Sequence, residues 1–120
     1  MSVINVENTE YFDKLLEYTK NIKYTTVLNS CTGGLMVAYF RDRTNIDCKK
    51  LDRKFEDYAN SPVLIGSVFC TVNNDICREL CDRYKIGYYP IIIFFKNGQE
   101  VDRTIGLQID DIRSKIQKYA

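Results

Sequence analysis

Leu35-Met36-Val37-Ala38-Tyr39-Phe40-Arg41-Asp42-Arg43-Thr44-Asn45-Ile46-Asp47-Cys48-Lys49-Lys50 reads as a strand, a loop and the start of a helix. Residues 35–40 are apolar, too few for a surface helix, and flanked by Gly33-Gly34 and by charge. That pattern predicts a buried strand. Asp47 can cap or start the helix that follows. Along it Cys48, Leu51, Phe55, Tyr58 and Ala59 recur at spacings of three and four, marking one face. Asn60-Ser61-Pro62 ends it.

Working outward from this unit, residues 63–72 are rich in β-branched side chains and predict a second strand. Asn73-Asn74-Asp75 breaks it and leads into a short helix carrying Cys77, Leu80, Cys81 and Tyr84 on one face. Pro90 introduces Ile91-Ile92-Ile93-Phe94-Phe95, a third buried strand. Lys96-Asn97-Gly98-Gln99 is a hairpin turn whose two central residues need positive φ, and residues 101–105 return. After Gly106, a last helix places Ile109, Ile112, Ile116 and Tyr119 on one side. On the N-terminal side, Val3-Ile4-Asn5-Val6 predicts a short strand. Asn8 can cap a helix with Phe12, Leu15, Leu16 and Tyr18 at helical spacing. Residues 25–34 read as an irregular connection. The order predicts an α/β fold: a central mixed β-sheet flanked by helices on both faces, in one domain spanning residues 1–120.

Bulk properties narrow the partners. The chain has 120 residues, 45% hydrophobic and 28% charged, with 17 Lys+Arg against 16 Asp+Glu and a net charge of +1. Such a balance gives no reason to expect nucleic acid or an anionic membrane. The basic residues Lys49, Lys50, Arg53 and Lys54 are interleaved with Asp47, Asp52, Glu56 and Asp57, as on a solvated helix face. No apolar run approaches the ~20 residues of a membrane span. The first residues lack the pattern of a signal peptide. Five cysteines without a disulfide-framework spacing fit a reducing, cytoplasmic setting.

The element order and two motifs resemble the thioredoxin superfamily. Tyr84-Lys85-Ile86-Gly87-Tyr88-Tyr89-Pro90 is similar to the segment that introduces the family's cis-proline. Phe94-Phe95-Lys96-Asn97-Gly98-Gln99-Glu100-Val101, closing at Gly106, is similar to its hairpin. Within the superfamily, Tyr39-Phe40-Arg41-Asp42 and Cys48-Lys49-Lys50-Leu51-Asp52-Arg53 resemble the branch of thioredoxin domain-containing protein 9 and the phosducin-like proteins. Compared with that branch, this chain has one residue more between Asp42 and Cys48, and residues 1–34 match loosely. The resemblance implies a thioredoxin-like fold. It also implies a protein partner, with a chaperonin or its clients as the partner the branch suggests.

The same resemblance implies a degenerate site. A dithiol thioredoxin carries Cys-x-x-Cys at this junction. Its first thiolate attacks a disulfide and its second thiol resolves the product. Here Asn45 stands at the attacking position and Cys48 at the resolving one, with Ile46 and Asp47 between. Tyr39 stands where thioredoxins hold a buried proton-relay Asp, and it cannot act as a carboxylate base. Asp47 beside Cys48 is expected to raise the thiol above its ordinary pKa of about 8.5. Cys48 therefore has two readings: a cysteine packed on the helix face, or a monothiol nucleophile. Pro90 is expected to be cis and to leave a ledge for an extended peptide.

Zinc sites need four ligands, usually Cys and His. The chain has no histidine, and Cys70, Cys77 and Cys81 are expected in the core as small hydrophobes. No metal and no cofactor are expected. Cys31, near Gly33-Gly34, is open to exposure. Among nine tyrosines, Tyr88, Tyr89 and Tyr39 are expected near the site, either as interface aromatics or as ordinary core and rim. Two functions follow. The first is a non-enzymatic binding adaptor docking a protein or peptide at Asn45, Ile46, Tyr88, Tyr89 and Pro90. The alternative is a monothiol oxidoreductase using Cys48.

Overall fold

The structure, a computed structural model, describes residues 3–25, 30–32, 34–61 and 66–120. The elements run β1(Ile4–Val6), α1(Thr9–Asn21), β2(Lys23–Thr25), β3(Ser30–Thr32), β4(Leu35–Arg41), α2(Ile46–Ala59), β5(Val68–Asn73), α3(Arg78–Arg83), β6(Ile91–Lys96), β7(Gln99–Ile105) and α4(Ile109–Tyr119). Five strands form one sheet in the order β1-β5-β4-β6-β7. β4 pairs parallel with β5 and antiparallel with β6, so the sheet is mixed, as expected.

β4 sits in the middle and is buried on both faces. Its alternate side chains divide between two cores. Met36, Ala38 and Phe40 join Phe12 of α1, Leu80 and Cys81 of α3, and Ile93 and Phe95 of β6. Leu35, Val37 and Tyr39 join Cys48, Leu51 and Phe55 of α2, Phe94 of β6, and Ile112 and Ile116 of α4. This double burial is why residues 35–40 are continuously apolar rather than alternating. Each fully buried large side chain contributes about 1.5–3 kcal/mol.

Local signals behave as their chemistry requires. The Asn8 side chain accepts from the Tyr11 N–H at 2.8 Å and caps α1. Asn97 (φ 57°) and Gly98 (φ 74°) make the turn between β6 and β7. A Cβ on Gly34 would lie 2.5 Å from the Gly66 carbonyl oxygen, so only glycine fits where β4 begins.

Four expectations need correction. Residues 25–34 are not wholly irregular, because β2 and β3 pair antiparallel, Lys23 opposite Thr32; residues 26–29 and 33 lie outside the described set. Tyr18 is exposed (61%), and Thr19 fills the core side of that turn with its hydroxyl on the Leu16 carbonyl at 3.0 Å. Asn45, not Asp47, caps α2. The strand expected over residues 63–72 begins at Val68; residues 62–65 lie outside the described set.

Candidate functional site

The C-terminal ends of β4, β5 and β7 and the N-terminal end of β6 meet at one edge of the sheet. Phe40 pairs with Val72 and with Ile91, and Ile91 pairs with Ile105. Loop 42–45, loop 74–77, the segment before Pro90 and the turn after Ile105 are therefore neighbours. The topology gathers all the residues expected at the site here.

Asn45 is the N-cap of α2, and its side-chain oxygen accepts the Cys48 N–H at 3.0 Å. The amide thus takes the backbone donor that a thiolate at this place would use. Cys48 sits in the first turn with no solvent exposure. Burial is the main cause that raises its thiol pKa, opposed by the Asp42 backbone, the Tyr39 hydroxyl and Arg41, and reinforced by Asp52. The carboxylate acting on Cys48 is therefore Asp52, one helical turn on, and not the expected Asp47.

Tyr39 is fully buried beneath α2. Its hydroxyl lies 2.8 Å from both the Cys48 carbonyl and Asp52 Oδ1. Burial, then the hydrogen bond to Asp52, holds it protonated far above the ordinary phenol range. Of the two readings left open for Tyr39, interface aromatic or core residue, the core one holds: it is a strut between sheet and helix. Arg41 completes the strut, with Nε and Nη2 bidentate on Asp52 at 3.0 and 2.7 Å and Nη1 on Asn73 at 2.7 Å. Such a fork fixes geometry as well as charge.

The loops on either side are tied together. Asp42 Oδ1 accepts from the Thr44 N–H and hydroxyl at 2.8 and 2.7 Å. Asp42 Oδ2 takes the Asn74 amide at 3.2 Å, and Arg43 pairs with Asp75 at 2.6 Å. The bonds from Thr44 and Asn74 hold Asp42 below the usual carboxylate range, the Thr44 side chain contributing most.

The second half of the site is open. The Tyr89–Pro90 bond is cis. Pro90 is buried, Tyr89 half-buried between the two cores, and Tyr88 exposed (54%). The Pro90 carbonyl accepts from the Gly106 N–H at 2.8 Å. Among the described residues, the backbone N–H and C=O groups of Tyr88 and Tyr89 make no internal hydrogen bond. Ile46 is exposed (69%), and two residues that sequence reasoning missed, Ile76 and Ile105, are exposed at the same edge. Single apolar residues in polar segments carry no periodic signal, so only the fold could reveal them. The site is a ledge rather than a cavity; a cleft of about 520 Å³ lies elsewhere, beside Asn5, Glu7 and Tyr11.

The sequence profile named Thioredoxin matches residues 8–118. The chain belongs to the thioredoxin family. It is 28% identical over 88 residues to thioredoxin H8 of Arabidopsis thaliana, covering 73% of this chain and 58% of that protein. It is 31% identical over 72 residues to a thioredoxin H-type of Oryza sativa subsp. indica, covering 60% of this chain and 57% of that protein. The chain thus spans just under three fifths of the length of these curated relatives. Among solved structures, the reduced Schistosoma mansoni thioredoxin pre-protein superposes with a TM-score of 0.83 at 23% identity, over 100% of both chains. Fasciola hepatica thioredoxin gives 0.83 at 22% identity, over 98% of this chain and 100% of that one. These likenesses establish the thioredoxin fold. No helix among the described residues is long and apolar enough to cross a membrane.

Proposed function

We propose that this chain is a redox-inactive thioredoxin-fold protein that binds a protein or an extended peptide at the ledge formed by Asn45, Ile46, Tyr88, Tyr89 and Pro90. One observation carries the reading. Among the described residues the backbone groups of Tyr88 and Tyr89 make no hydrogen bond, while the Cys48 thiol is buried and the helix-start donor of α2 is taken by Asn45. A partner strand can pair with the free groups, and Ile46, Tyr88, Ile76 and Ile105 supply an apolar rim. Asn45 in the attacking place and Tyr39 in the relay place both support a degenerate active site. The motifs 39–42 and 48–53 support a phosducin-like relationship, a cytoplasmic setting and a chaperonin or its clients as partner class.

The second reading, a monothiol oxidoreductase using Cys48, draws on the names of the relatives. Selection from displayed peptide libraries with and without cysteine separates the two. The adaptor reading expects binders that Cys48→Ser keeps and that Ile46→Asp or Tyr88→Asp loses about 10-fold or more in affinity, since each removes about 1.5 kcal/mol or more of apolar contact. Recovery of cysteine-bearing peptides alone, lost on Cys48→Ser, overturns it.

A further inference from the structure

Among the described residues, β7 is a free edge of the sheet, bonded only to β6. In an antiparallel pair, alternate residues turn their backbone groups toward the neighbour and away from it. Thr104 and Asp102 stand opposite Ile92 and Phe94. Arg103 and Ile105 turn outward, since Gly106 N–H reaches the Pro90 carbonyl and the Arg103 groups are claimed elsewhere. Such outward groups normally invite another strand.

Here the chain's own side chains occupy three of the four outward groups of Arg103 and Ile105, the Arg103 N–H and both carbonyls. Asp102 Oδ1 accepts the Arg103 N–H at 2.8 Å. Lys115 Nζ of α4 donates to the Arg103 carbonyl at 2.8 Å, and Gln108 Nε2 donates to the Ile105 carbonyl at 2.7 Å. The caps are themselves held. Lys115 also touches Asp111 at 2.9 Å and Asp102 at 3.3 Å. The Tyr119 hydroxyl donates to Asp102 Oδ2 at 2.9 Å, and Thr104 bonds Asp111 at 2.6 Å. The opposite edge, β1, is three residues long, so shortness protects it.

Two exposed apolar side chains sit on β7: Val101 at its bulge and Ile105 at its end, 42% and 52% exposed. A two-fold antiparallel pairing centred on Arg103 would set Val101 of each copy beside Ile105 of the other. Each Arg103 is neutralised within its own chain by Glu100, at 2.8 and 2.9 Å. We infer that β7 is a latent pairing surface for a second copy of this chain, held closed in the monomer by Asp102, Lys115 and Gln108.

Amide exchange and sedimentation test this on the full chain. In the wild type, the Arg103 amide is protected at every protein concentration, although it sits on an edge. Asp102→Ala speeds its exchange about fivefold or more, the loss of one hydrogen bond, while Thr104 stays protected. A triple variant, Asp102→Ala with Gln108→Ala and Lys115→Met, sediments as a concentration-dependent dimer in which Arg103 is protected again. If this triple variant fails to fold, Asp102→Val with Gln108→Ser and Lys115→Leu, which also removes all three caps, takes its place. A folded variant that stays monomeric overturns the inference. So does a wild-type Arg103 amide that exchanges freely, or one whose protection grows with protein concentration.

Discussion

The start of α2 and the segment before Pro90 lie at the same edge of the sheet but spend their polar groups differently. At Cys48 the N–H goes to Asn45, the carbonyl to Tyr39 and the thiol to the core. At Tyr88 and Tyr89 the backbone groups are left to solvent among the described residues. The first region spends its polar groups inside the fold, and the second leaves its backbone groups unpaired among the described residues. The proposed function rests on this contrast, because pairing with a peptide needs free backbone groups while disulfide exchange needs an accessible thiol.

Breaking the closed region should cost most where charge is involved. Asp52→Ala leaves Arg41, whose side chain is 15% exposed, without its carboxylate. The loss should be about 2–3 kcal/mol by chemical denaturation; a loss under about 0.5 kcal/mol would mean the strut is ornamental. Alkali probes the same region. Burial raises Cys48, Cys70, Cys77 and Cys81. Unfolded thiols release protons near pH 8.5 while the folded ones keep theirs. Their stabilising effect is complete below that pH and fades as the pH climbs above it. The denaturation midpoint should fall between about pH 7 and about pH 9.5, and an unchanged midpoint would show that the thiols are solvated. Asn45→Ala removes a helix cap and should cost about 1 kcal/mol, with the Cys48 amide exchanging faster. Tyr88→Ala, on the open region, should change stability by less than about 0.5 kcal/mol while weakening peptide binding. A large stability loss there would erase the contrast.

The order of elements along the chain was legible because strands buried on both faces have no polar alternation to confuse with helix, and because Asn97-Gly98 names its own turn. The boundary of α2 was less so. Asn45 and Asp47 are both capping residues, and only backbone geometry shows which amide reaches the Cys48 N–H. Tyr39 was placed correctly in the buried strand β4, but its place between interface and core stayed open, since the sequence does not reveal that Cys48 and Asp52 lie over its hydroxyl. The Arg41–Asp52–Asn73 network joins residues 11 and 32 positions apart, a spacing with no local signature. The strand pair of residues 23–25 and 30–32 was hidden because β2 and β3 are three residues each, too short for periodicity to register.

The most direct test is alkylation of the Cys48 thiol by a small neutral reagent at pH 7, followed by peptide mapping in the folded and the denatured chain. The closed geometry predicts that Cys48 is modified in the folded protein only as fast as the chain opens, and that the protein does not reduce insulin disulfides. Rapid labelling of folded Cys48 together with disulfide reduction would contradict a site built for binding.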